Sequence, residues 1–395
     1  MRVPLIDLGE EYRALAKPIR GAINEVLESH RFILGPKVQA FEQAICAYCN
    51  APQAIGVSSG TDALLAILMA LGIGPGDAVI TTPYTFFGTA GCIARVGARP
   101  VFADIDPVTY NLRASAVQEY IEKNCQKDAA GTWKTRSGER VRAIIPVHLF
   151  GLCCGMDALR EISQRFQLHL IEDAAQAIGA EFPFEGRTAK AGTMGEVGFF
   201  SFYPSKNLGA AGDAGMIVCH DEALARKLRA LRDHGMEPRY FHHVVGANFR
   251  LDEIQAAILG VKLPFLETWA AARRAAADFY SAEFARARLA QRITLPAEPY
   301  RNRGITNHHV YHQYVICTPM RDALRERLGK QEIETAVYYP LGLHEQKCFA
   351  YLGYTKGDFL ETERAARETL ALPIYPEISR EAQQYVVNAV VEFFE

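Results

Sequence analysis

Lys206 and Asp173 are the residues of this 395-residue chain best suited to act together in covalent and acid–base chemistry. Lys206 lies in Ser201-Phe202-Tyr203-Pro204-Ser205-Lys206-Asn207-Leu208-Gly209, among aromatic and small residues rather than solvated charges. An amine in so dry a setting can serve as a nucleophile or imine-forming group. Asp173 follows the apolar run Leu168-His169-Leu170-Ile171, which reads as a buried parallel strand. The acid therefore stands at a strand's C-terminal end, where open α/β sheets keep their ligand sites. Upstream, Ser58-Ser59-Gly60-Thr61-Asp62 joins a short strand to an apolar helix. That arrangement aims backbone N–H groups and the positive end of a helix at an anion, so Ser59, Gly60 and Thr61 are phosphate-cradle candidates. The alternative is a plain helix cap by Thr61 or Asp62.

An amine, a distant carboxylate and an anion cradle together meet the needs of pyridoxal phosphate (PLP). Its aldehyde is held by a lysine, its ring nitrogen is kept protonated by an acid, and its phosphate is anchored by donors. Gln176 could hydrogen-bond the ring hydroxyl, and Ser201 could add a phosphate donor. Lys206, once free, would carry protons as general base and acid. In Thr82-Pro83-Tyr84-Thr85-Phe86-Phe87 an aromatic at a strand edge could lie over a ring, or simply belong to the core. His148 ends another buried strand on the same edge as Asp173.

The elements that must position these groups follow from the pattern. Strands at Ala54–Val57, Ala78–Ile80, Arg99–Ala103, Val141–Val147, Leu168–Ile171 and Gly215–Cys219 alternate with helices, which predicts a mainly parallel sheet. An extended segment, 1–17, precedes a helix expected from Pro18 to Glu28. The large domain is expected over 18–263 and a compact α+β domain over 264–395, with strands at Val310–Cys317 and Thr335–Tyr339. Lys127–Arg140 reads as a surface hairpin or loop insertion. Gly72-Ile73-Gly74-Pro75-Gly76 precedes a strand rather than following one, so it is a turn and not a dinucleotide fingerprint.

Composition excludes other classes. The net charge of −2 and the absence of a basic run give nothing for nucleic acid or an anionic membrane. The longest apolar stretch, Ala63 to Ile73, is too short to span a bilayer, and no signal-peptide core follows the N-terminus. Nine scattered cysteines, including Cys46 and Cys49, read as reduced core thiols, so cytoplasm is the expected location.

The motifs around Ser59, Asp173 and Lys206, with Asn248-Phe249-Arg250-Leu251-Asp252-Glu253-Ile254-Gln255-Ala256-Ala257, resemble the DegT/StrS-type PLP-dependent nucleotide-sugar aminotransferases. The resemblance runs from Pro4 to Pro376. It implies the aspartate-aminotransferase (type I) fold, a mixed, mostly parallel seven-stranded sheet, and a homodimer with shared active sites. It also implies a nucleotide-linked keto-sugar as substrate and glutamate/2-oxoglutarate as the amino-donor couple. By motif, Lys206 is the Schiff-base residue, Asp173 the pyridinium partner and Gln176 the ring-hydroxyl contact. Gly60, Thr61 and Ser201 are phosphate ligands, Phe86 is the stacking aromatic, and Asn248 reaches the neighbouring subunit's phosphate. Arg250 is a candidate for the donor carboxylate or the diphosphate. Tyr84, His148, His309, Tyr311, Tyr339 and His344 are substrate-side candidates, and His312 belongs to the same family segment. No metal site is expected, because the histidine cluster has no acid or thiol partner. Gly88, where the family often carries alanine, should only loosen packing. The intact Lys206 favours transamination over the dehydration that a histidine there would bring. A keto-inositol transaminase and a silent sugar-nucleotide-binding regulator are the remaining alternatives.

Overall fold

The computed structural model describes residues 1–395. Its central sheet is built from β1 (Gln53–Val57), β2 (Asp77–Thr81), β3 (Arg99–Phe102), β4 (Cys125–Lys127), β5 (Trp133–Thr135) and β6 (Arg140–Ile145). It continues with β7 (His169–Asp173), then, past the separate hairpin β8 (Glu181–Phe184) and β9 (Arg187–Lys190), β10 (Val197–Ser201) and β11 (Gly215–Cys219). Seven strands run in the order β1-β11-β10-β7-β6-β2-β3, and the β4–β5 hairpin joins through β6 to make nine. All neighbours on the seven-strand path are parallel except β11, which opposes both β1 and β10. The hairpin accounts for the polar stretch after Lys127.

Helices are α1 (Gly9–Ser29), α2 (Pro36–Cys49), α3 (Gly60–Ala70), α4 (Phe87–Arg95), α5 (Ala114–Asn124) and α6 (Met156–Phe166). Then come α7 (Glu222–Leu231), α8 (Glu253–Lys262), α9 (Leu266–Arg286), α10 (Arg321–Lys330), α11 (Leu360–Glu368) and α12 (Arg380–Phe394). Alternate residues of each strand feed opposite cores, as the two-residue period of a strand requires. Met216 and Val218 of β11 enter one cluster with α2, α6 and α8, whereas Ile217 and Cys219 enter another with α3 and α7. A third core gathers α9, α10, α12, β12 (Tyr314–Cys317) and β13 (Thr369–Leu372), with Val3 from the N-terminus bridged to Ile333.

Three expectations are corrected. Helix α1 begins at Gly9 and carries Pro18 inside it, so the opening segment is not extended through residue 17. Thr335–Tyr339 is not a strand; β12 pairs instead with β13, and only Ala336 bridges to Ala371. The expected strand from Val310 begins only at Tyr314. No helix is long and apolar enough to cross a membrane.

Candidate active site

Strand β7 carries Asp173 to the C-terminal edge of the sheet, where it is 5% exposed. The Thr89 hydroxyl of α4 donates to its Oδ2 at 2.8 Å, and the Ala175 N–H donates to Oδ1 at 3.1 Å. Burial raises its pKa, while these two bonds and the charge on Lys206 pull the other way. Lys206 sits in a tight turn after β10, its N–H bonded to the Tyr203 carbonyl at 2.8 Å. Its amine is drawn down to about 8 by burial, with Asp173 opposing. The Lys262 ammonium donates to the Gly209 carbonyl, and Asn207 Nδ2 donates to the Val310 carbonyl at 2.9 Å, so both sides of this turn are tied down.

Asp173 and Lys206 line one cavity of about 570 Å³. Ser59, Gly60 and Thr61 from the start of α3, and Ser201 from the end of β10, line it as well. Ser59 Oγ accepts from the Asp62 N–H at 3.0 Å, so Ser59 rather than Thr61 or Asp62 caps α3. Gly215 explains how the cradle closes: a Cβ there would come within 2.6 Å of the Ser59 carbonyl, so only glycine lets β11 press against the turn. Phe86, 59% exposed, forms a cavity wall at the N-terminus of α4. A Cβ on Gly88 would lie 3.1 Å from its ring, so an alanine there would push the aromatic by a few tenths of an ångström. Gln176 and Tyr339 also line the cavity, with Gln176 Nε2 donating to the Tyr339 hydroxyl at 3.0 Å and Oε1 accepting from the Phe150 N–H at 2.7 Å.

Other candidates lie elsewhere. Tyr84 is fully buried, donating to the Tyr338 carbonyl or sharing a hydrogen with Thr369 Oγ1, each at 2.7 Å. His148 is fully buried; its Nδ1 accepts from the Cys154 N–H at 3.0 Å, so Nε2 carries the proton and faces Glu172 at 2.8 Å. His309 stacks on Tyr311 with centroids 3.8 Å apart, burial pushing its pKa down to about 3, and the Tyr311 hydroxyl donates to Glu298 at 2.7 Å. His344 is buried against Phe359 and Glu363, and Arg250 pairs with Asp233 at 2.6 Å. Asn248 is exposed, bridged to Asp233, and does not line this chain's cavity. Sequence reasoning missed Thr89, Gln313 and Tyr338, all on the cavity wall.

A carboxylate deep in the sheet edge, an amine facing the same space, hydroxyls at a helix N-terminus and one exposed aromatic make the donor set that PLP needs. Fold and cavity thus define an α/β enzyme of the PLP-dependent aminotransferase class. Residues 14–391 match the DegT/DnrJ/EryC1/StrS aminotransferase family, and the chain belongs to it. It is 48% identical to a "pleiotropic regulatory protein" of Geobacillus stearothermophilus, covering 100% of this chain and 99% of that one. It is 39% identical to the UDP-N-acetyl-3-dehydro-α-D-glucosamine 3-aminotransferase of Acidithiobacillus ferrooxidans, over 96% of this chain and 94% of the other. The crystal structure of Streptomyces venezuelae DesV in complex with a ketimine intermediate superimposes with a TM-score of 0.89 at 38% identity, covering 100% and 99% of the two chains. The chain is accordingly a PLP-dependent transaminase.

Proposed function

We propose that this transaminase moves an amino group from glutamate onto a 3-oxo or 4-oxo nucleotide-linked hexose. The observation that carries the reading is the meeting of Lys206, Asp173 and the Ser59–Thr61 turn on one cavity. The 3-oxo sugar named for the Acidithiobacillus relative weighs towards the 3-position. Ser59, Gly60, Thr61 and Ser201 would hold the cofactor's phosphate, Phe86 would cover its ring, and Gln176 would meet the ring hydroxyl through its remaining N–H. When bound, PLP supplies an electron sink for the carbon that loses its proton. Asp173 keeps positive charge at the far end of the site. Lys206 Nζ, made less basic by burial, takes the proton from the amino donor's α-carbon and returns one to the carbon that is aminated.

Exposed Phe86, Phe87 and Tyr203, and Tyr240, Phe241 and Val245 in the segment after α7, favour burial against a second copy of the chain. Asn248, likewise exposed, would then complete a shared site. The name of the Geobacillus relative raises a regulatory role, but a silent binder has no use for a lysine of lowered basicity sharing a cavity with a buried acid. Amino-product formation from a panel of 3-oxo and 4-oxo nucleotide sugars, with glutamate consumed, tests the proposal. Lys206→Ala should abolish turnover while cofactor still binds. Full activity in that variant, or a protein that gains no visible absorbance with PLP, would refute it.

A further inference from the structure

The first residues of the chain reach the active-site cavity by a route of their own. Val3 bridges to Ile333: its N–H donates to the Glu332 carbonyl and its carbonyl accepts from the Glu334 N–H, both at 2.9 Å. Leu5 is held to the same part of the molecule. Its N–H donates to Glu334 Oε2 and its carbonyl accepts from the Ile374 N–H, both at 3.3 Å. Arg2 adds an ion pair with Glu334 at 2.8 Å. Residues 2–5 are thus tied to the third core, in which Val3 is buried. From Gly9 onward the chain is α1, whose Leu15 and Ile19 enter a core under the central sheet. Only Ile6, Asp7 and Leu8 cross between the two. Asp7 Oδ1 is turned to the start of α1, where it accepts from the Gly9 N–H at 2.7 Å, and Leu8 is exposed. Ile6 lines the cavity that holds Lys206 and Asp173, and no other residue before Ser59 does. It is half-buried, so part of its side chain stays open to an occupant.

An aliphatic side chain has no donor or acceptor, so Ile6 cannot hold a phosphate or a carboxylate, and covering either with it would strip a charge of water for no bond in return. A hexose ring is different. Its hydroxyls project around the rim, while its faces carry C–H groups that gain by leaving water. We infer that Ile6 is a specificity-determining contact that packs on the C–H face of the substrate's sugar ring, carried there by a strap fastened at both ends. The inference rests on the nucleotide-sugar reading given above. Because residues 2–5 and α1 are each bonded in place, Ile6 is in position before the substrate arrives, and little ordering is left to offset the contact.

The test uses the enzyme loaded with pyridoxamine phosphate, which cannot transfer its amine to a sugar that already carries one. The probes are UDP- and dTDP-linked 3-amino and 4-amino hexoses, with free UDP and dTDP as controls. Calorimetric Kd is measured for each, together with Kd for PLP in the cofactor-free protein and KM for glutamate in the PLP-loaded one. Ile6→Ala should weaken binding of the amino sugar that the wild type takes by about tenfold, leaving the free nucleotide, PLP and glutamate unchanged. Ile6→Thr, which keeps the β-branch, should do the same if the alanine variant fails to fold. Undiminished sugar binding in the folded variants, or an equal loss for free nucleotide, PLP or glutamate, would overturn the inference alone. A wild type that binds none of the sugars would overturn the substrate reading and this inference with it.

Discussion

Two carboxylates stand side by side at the end of β7 and have opposite surroundings. Glu172 points beneath the sheet, where it accepts from the Gly192, Met194 and Gly195 N–H groups and from His148 Nε2. An ionised carboxylate has about four lone-pair sites, and here all are taken. Asp173 faces the cavity and has only two donors, Thr89 and the Ala175 N–H. The saturated acid is a fastener that closes the turn after β9. The acid with capacity to spare faces the amine. In a buried site, unspent hydrogen bonding separates the chemistry from the scaffold better than residue type does.

Four changes would break or sharpen that contrast. Glu172→Ala should have the largest effect. It orphans three backbone N–H groups and His148, and at about 1–3 kcal/mol for each buried unsatisfied donor the loss should reach at least about 4 kcal/mol. Urea unfolding would show it, and an unchanged midpoint would contradict the fastener role. Asp173→Asn should leave the free energy of urea unfolding within about 1 kcal/mol of the wild type while lowering turnover about a hundredfold or more. A variant that unfolds yet, when folded, turns over normally would reverse the assignment. Lys206 comes next. Its pKa is depressed, so the neutral amine appears at lower pH than in water, rising from about one-tenth at pH 7 to about nine-tenths at pH 9. PLP association with the cofactor-free protein, followed by absorbance, should speed up about tenfold over that range and level off above it; a rise of about a hundredfold, as an unshifted amine would give, would contradict the shift. Tyr84→Phe should have the smallest effect, costing about 1–2 kcal/mol in thermal unfolding through lost bonds to Tyr338 and Thr369, with turnover retained.

The residues that proved legible in the sequence were those whose backbone position alone fixes their use. Asp173 ends an apolar strand, Ser59 to Thr61 open a helix, and Lys206 lies in a turn between two buried strands, so sheet topology delivers all of them to one edge. Tyr84 and His148 share that edge in sequence but turn inward, because each finds a buried partner that outcompetes the cavity. No local pattern encodes such a choice. For the same reason β13 went unread: Thr369–Leu372 becomes a strand only because β12, more than fifty residues earlier, offers it an edge. The β8–β9 hairpin went unread because its turn contributes a lone Gly186 rather than a paired turn signature. Gln313 and Tyr338 sit in irregular chain whose path no periodicity describes.

The reversed strand β11 has a consequence for how the molecule is assembled. Val57 and Ser201 flank Gly215 from either side, so the anion cradle exists only when segments some 140 residues apart are both zipped onto one ribbon. Pairings that distant form slowly and late. With the cofactor's phosphate held there as proposed, a chain with an incomplete sheet would lack that site, and the cofactor would stabilise the finished fold alone, by mass action. Supply of the vitamin-derived ligand would then govern how much mature protein survives proteolysis, as well as how fast it turns over.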